Sequence, residues 1–182
     1  MMQWFQKHHA QLSPFIEWTR APAASMIANL SEMTRHAAEL HQTDQTLGTT
    51  LAKDMLSPSK WAIQQEGILS RIATRMAKEL LGESSEVLTA KLVDERCPGL
   101  SVGIRSLHSA WWTTTSRTPR QAKLSDFPDA LHAMYAPYVD VFRADSFMAP
   151  YIAKLATKFG TTVVAKLADL SNAIQVALAK AA

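Results

Sequence analysis

Three aspartates in the last third of the chain, Asp126, Asp129 and Asp145, have the type and placement to do chemistry. Asp126 and Asp129 stand three apart at an expected helix start, so they share a helix face. A helix from Asp126 to Tyr135 rises about 15 Å in one direction. A strand from Tyr138 to Arg143 then returns over about 20 Å. The helix start and the strand end should therefore lie near one edge of a sheet, with Asp145 just beyond the strand. Carboxylates gathered at such an edge need a neutralising cation. All-oxygen ligands suit Mg²⁺ or Mn²⁺, which can orient a water and offset developing charge on a phosphate. The competing reading needs no metal: Asp126 and Asp145 are good helix N-caps, and Asp129 suits a first helical turn.

The elements expected to hold these residues follow from pattern. Ser125-Asp126-Phe127-Pro128-Asp129 is a strong helix start, and Ala136-Pro137 ends that helix. Tyr138-Val139-Asp140-Val141-Phe142-Arg143 is the best strand in the sequence, and Thr161 to Lys166 reads as a second. Between them, Asp145-Ser146 caps a helix that reaches Phe159 and stops at Gly160. Two strands joined by a helix imply a parallel pair. A final helix is expected over Asp169–Ala179.

Upstream, residues 1–116 read as mostly helical. Ser57-Pro58 starts a clear helix whose buried side should carry Trp61, Ile63, Ile68, Ile72, Met76 and Leu80. Ser84-Ser85-Glu86 should start a short helix through Leu92, and another should run from Leu100 to about Trp112. Thr113 to Lys123 reads as an exposed loop carrying Arg117, Arg120 and Lys123. It is either a solvated linker or a phosphate-contacting loop. The expected fold class is mostly α with an α/β part, one domain over 1–182. Its small parallel β-sheet lies near the C-terminus, within 125–182.

Composition bounds the function classes. The 182 residues are 47% hydrophobic and 19% charged, with net charge +3, which describes an ordinary globular chain. No stretch is densely basic, so nucleic-acid contact is permitted and not demanded. Cys97 is the one cysteine, which excludes an internal disulfide and a cysteine zinc cluster; a buried thiol in a reducing compartment is expected. No apolar run is long enough to span a membrane, and no signal-peptide pattern opens the chain, so cytoplasm is the default. The six histidines are scattered, and Trp111-Trp112 reads as core and rim rather than a stacking platform.

The stretch Asp126-x-x-Asp129-Ala130-Leu131-His132-Ala133, followed by Tyr138-Val139-Asp140-Val141-Phe142-Arg143-Ala144-Asp145, resembles the C-terminal half of PIN-like nucleases. The Asp-x-x-His form followed by Pro-Tyr-Val-Asp is similar to a bacterial branch of that superfamily. The resemblance implies that Asp129 and Asp145 match the two family acids that ligate the divalent metal used to hydrolyse RNA. Asp126 is an auxiliary candidate, and Asp140 and His132 match the branch pattern without an assigned role. Family members open with a strand ending in an essential aspartate, followed by a helix bearing a glutamate. This chain opens with a helical pattern, with Glu32 or Glu39 as candidates for the helix acid. The resulting expectation is a PIN-like, Mg²⁺- or Mn²⁺-dependent ribonuclease, or a degenerate or N-terminally shortened relative. The alternative is a non-catalytic helical interaction domain whose acids are caps. Expected partners are RNA, and a protein or a second copy of the chain.

Overall fold

The computed structural model describes residues 24–181, apart from 26, 30, 33, 82–86, 117–122 and 124. The chain is mostly α with one two-stranded parallel sheet near its C-terminus. Helix α1 covers 34–47 and the described positions before it from 24 onward. It is followed by α2 (Leu51–Met55), α3 (Pro58–Leu81), α4 (Ala90–Arg96) and α5 (Pro98–Ser116). Then come α6 (Asp126–Ala133), a 3-10 turn (Ala136–Tyr138), β1 (Val141–Arg143), α7 (Ala149–Ala156), a second 3-10 turn (Thr157–Phe159), β2 (Thr162–Val164) and α8 (Leu167–Ala181). No helix among the described residues is long and apolar enough to cross a membrane.

Helix α5 is the axis. On one side Leu100 and Ile104 pack on a cluster of Leu69 and Ala73 from α3 with Ala90 and Val93 from α4. On the other, Val102 and Ala110 join Ala133, Phe142, Met148 and Ile152 in the main core. A bidentate pair locks the first side: Arg105 donates to both Asp94 oxygens at 3.0 and 2.9 Å. Its third donor reaches Gln65 Oε1 at 3.1 Å. On the second side, two glycines let α6 approach closely. A Cβ on Gly99 would lie 2.5 Å from the Met134 carbonyl oxygen, and one on Gly103 would lie 2.9 Å from that of Ala130.

The buried line of α3 differs from the expected one. Trp61, Leu69 and Ala73 are buried, whereas Ile63 is 70% exposed. Ile63 stands two residues from Trp61, about 200° round the helix, so both cannot face α5. The helix start expected at 84–86 lies outside the described residues; α4 is capped by Thr89, whose side chain accepts from Leu92 N–H, and runs past the expected end at Leu92 to Arg96. Thr113 to Ser116 belong to α5 rather than to a loop, and Cys97 is exposed at the α4–α5 junction rather than buried.

The strands pair in parallel with Val141 opposite Thr162, Phe142 opposite Val163 and Arg143 opposite Val164. Two further bonds, Thr162 N–H to Asp140 O and Ala144 N–H to Val164 O, extend the ladder at each end. The expected strands are shortened to these cores. Pro137 holds Ala136–Tyr138 in a 3-10 turn, and Lys166 leads directly into α8. Gly160 makes the turn into β2 at φ 83°, a conformation that favours glycine. The sheet packs against α7 and α8.

Candidate functional site

The close approach of α6 to α5 sets the height of Asp129, and the end of β1 sets that of Asp145. Both carboxylates line one cleft of about 470 Å³, together with His132, Arg143, Tyr135 and Val139. Asp129 and Asp145 are half-buried, while His132 and Arg143 are exposed. The cleft lies beside the carboxyl end of a parallel strand, where open α/β sheets present ligand sites.

Asp145 is held firmly. Its Oδ1 accepts from Met148 N–H at 2.6 Å, and its carbonyl accepts from Ala149 N–H at 3.0 Å. It therefore caps the start of α7. His132 rests on Phe142 with ring centroids 4.7 Å apart, and its ring is tilted 6.4 Å from that of Tyr135. Arg143 lines the cleft and forms no ion pair among the described residues.

Asp126 does not line the cleft. It is only 2% exposed, and its Oδ2 accepts from Lys123 N–H at 3.0 Å while its own N–H donates to Lys123 O. These two bonds to the Lys123 backbone make Asp126 part of the turn that enters α6. Ser125, the expected cap, makes no side-chain cap bond. Asp140 is exposed and takes part through its carbonyl, which extends the sheet. Lys123 is exposed, and Arg117 and Arg120 lie outside the described residues. Glu32 and Glu39 lie on exposed α1, where both pair with Arg35, and neither lines the cleft.

The donor set for a metal is thus two carboxylates from separate elements. No group of three or more His, Cys, Asp or Glu poised for one ion exists among the described residues. Two carboxylates fit Mg²⁺, which keeps several waters and is commonly held by one or two carboxylates plus substrate phosphate. They do not make a closed protein cage.

Sequence reading missed Arg143 as a cleft cation. The signal was available: it alternates with buried Phe142 along β1 and precedes Ala144-Asp145. Compared with known proteins, the chain matches no protein-family model, no curated protein and no solved structure.

Proposed function

We propose that the cleft is the metal and phosphate site of a PIN-like, divalent-metal-dependent ribonuclease. One observation carries this reading. Asp129 and Asp145, sixteen residues apart on different elements, line the same cleft as an arginine that has no ion-pair partner among the described residues. Asp129 and Asp145 would hold Mg²⁺ or Mn²⁺, and such an ion supplies water activation and charge neutralisation at a phosphodiester when bound. Arg143 would orient a non-bridging phosphate oxygen, for which its planar fork is suited. His132, seated on Phe142, lines the same cleft and would be the candidate to protonate a leaving hydroxyl. Lys123, with Arg117 and Arg120 in the same stretch of sequence, would contact flanking phosphates.

A second reading has its own observation. Asp145 caps α7, which explains this acid without any metal. Mn²⁺ titration followed by electron paramagnetic resonance separates the two, with wild type, Asp129→Asn and Asp145→Asn compared. Asparagine keeps the cap and removes the charge. Under the metal reading, each variant binds Mn²⁺ about tenfold or more weakly, a difference of about 1.4 kcal/mol. Each also loses Mn²⁺-dependent cleavage of an RNA oligonucleotide. Equal Mn²⁺ binding by all three proteins refutes the metal role. Weakened Mn²⁺ binding in the variants, with no cleavage by wild type, identifies a degenerate relative.

A further inference from the structure

We infer that the apolar groove next to the acidic cleft is a subsite for an unpaired nucleobase of the strand whose phosphodiester occupies the cleft. The inference rests on the reading of the cleft given above.

The groove has a volume of about 830 Å³ and lies where α3, the α4–α5 junction and α6 meet. Its walls are Met76, Leu100, Leu131, Met134, Tyr135 and Tyr138. One side is rigidly built. The Tyr138 hydroxyl accepts from Gly99 N–H at 3.3 Å, and a Cβ on Gly99 would sit 3.0 Å from the Tyr138 ring. Both tyrosines are open to solvent, Tyr135 at 66% and Tyr138 at 65% exposed. An exposed aromatic at the mouth of an apolar groove offers a stacking face, and base stacking on such a face is tolerant of base identity.

Charge and continuity select the occupant. Arg96 is the one charged residue among the groove-lining residues, and no carboxylate lines the groove. His132 and Tyr135 line both the groove and the acidic cleft, so the two are one continuous surface with Arg143 in the cleft and Arg96 in the groove. Apolar and aromatic walls between two guanidinium groups match an alternation of bases and phosphates. An apolar protein helix would leave both cations without a counter-charge.

The test uses the full chain in EDTA buffer, so that no divalent ion contributes. Fluorescence anisotropy compares a labelled eight-nucleotide oligoadenylate with an abasic strand of the same length and charge. Wild type should bind the base-bearing strand about tenfold more tightly, the scale of one stacked base. Tyr135→Ala should remove that difference, whereas Tyr135→Trp should preserve it. Arg96→Gln should weaken both strands alike and lower the salt dependence. Circular dichroism checks that each variant folds.

Equal binding of the two strands by wild type overturns the inference, as does an unchanged difference in Tyr135→Ala. Tyr135-dependent binding of an acidic amphipathic peptide, with no strand binding, assigns the groove to a protein partner and also overturns it. The metal reading fails separately: Mn²⁺ binding unaffected by Asp129→Asn and Asp145→Asn leaves the base subsite standing. Base discrimination absent beside normal Mn²⁺ binding removes the subsite alone.

Discussion

Acid should destabilise this protein through His108 before it reaches most carboxylates. The imidazole is 3% exposed on α5 and stacks on the Trp61 indole with centroids 4.1 Å apart and planes 19° from parallel. Its Nδ1 is buried without a hydrogen-bond partner among the described residues. Burial, followed by the positive charge of Arg105, pushes its pKa from 6.5 down to about 4. A base with a lowered folded-state pKa takes up its proton first in the unfolded chain. Stability is therefore complete above pH 6.5 and falls as the pH drops towards 4. At about 1.4 kcal/mol per pH unit, the interval sets a ceiling of about 3 kcal/mol. Over the practical range from about pH 7 to about pH 4.5, the loss should be about 2 kcal/mol, a large share of the stability of an ordinary domain. Urea unfolding at several pH values measures it in wild type, in His108→Phe, which keeps a ring against Trp61, and in His108→Leu as a second non-titrating replacement. Wild type should lose stability across this window, and both variants should be nearly flat. Parallel slopes in all three proteins would refute the assignment. Asp94 does not confuse the result. Although burial opposes the shift, the Arg105 and Ser101 hydrogen bonds to its carboxylate lower its pKa from 3.8, so its contribution is lost only at more acid pH.

Three further outcomes follow from the same contacts. Arg105→Ala should cost about 2 kcal/mol in urea unfolding, because it leaves the part-buried Asp94 carboxylate without its bidentate partner and Gln65 Oε1 without its donor. Gly103→Ala should destabilise by about 1–3 kcal/mol, since the new Cβ would meet Met134 Cγ at 2.7 Å and the Ala130 carbonyl at 2.9 Å; a matching loss of Mn²⁺ affinity would show that the α5–α6 spacing sets the position of Asp129. Asp145→Ala should cost about 1 kcal/mol by removing the bond to Met148 N–H, while Asp145→Asn should cost much less, and thermal unfolding distinguishes them.

Local chemistry made much of this architecture readable. Pro58 opens a helix as its place after Ser57 implies, whereas Pro98 begins α5 two residues before the expected start at Leu100; β-branched residues mark β1 and β2 within two short runs. The juxtaposition of Asp129 and Asp145 was readable because a helix followed by a returning strand leaves few choices for where their ends lie. The place of Asp126 was not. Three residues from Asp129 keeps it on a similar face, yet one turn earlier its carboxylate bonds to the Lys123 backbone in the turn that enters α6. Cys97 misled because apolar character suggests burial, whereas the residue caps α4 at a corner where the chain turns into α5. The tyrosine groove was out of reach for a different reason. It is assembled from Met76, the 96–100 corner and the 128–138 segment, and no local pattern links three such distant pieces.

The two readings of Asp145, cap and ligand, are compatible in one side chain. The bond from Met148 N–H fixes Oδ1 and with it the rotamer, leaving Oδ2 with no hydrogen bond among the described residues. A ligand held by its own helix turn loses little freedom when it binds. The same turn also sets a limit. The N-terminus of α7 carries partial positive charge, which favours an anion and opposes a bare cation. Two carboxylates offset that field only in part, and Arg143 adds to it. On the metal reading, Asp129 and Asp145 would hold the ion, and the charge of a phosphate bound beside it would answer Arg143 and the α7 terminus. On that reading, electrostatics would favour a metal and a phosphate together over either alone. The clearest loss in Asp145→Asn should accordingly appear in Mn²⁺ affinity measured with an RNA strand present.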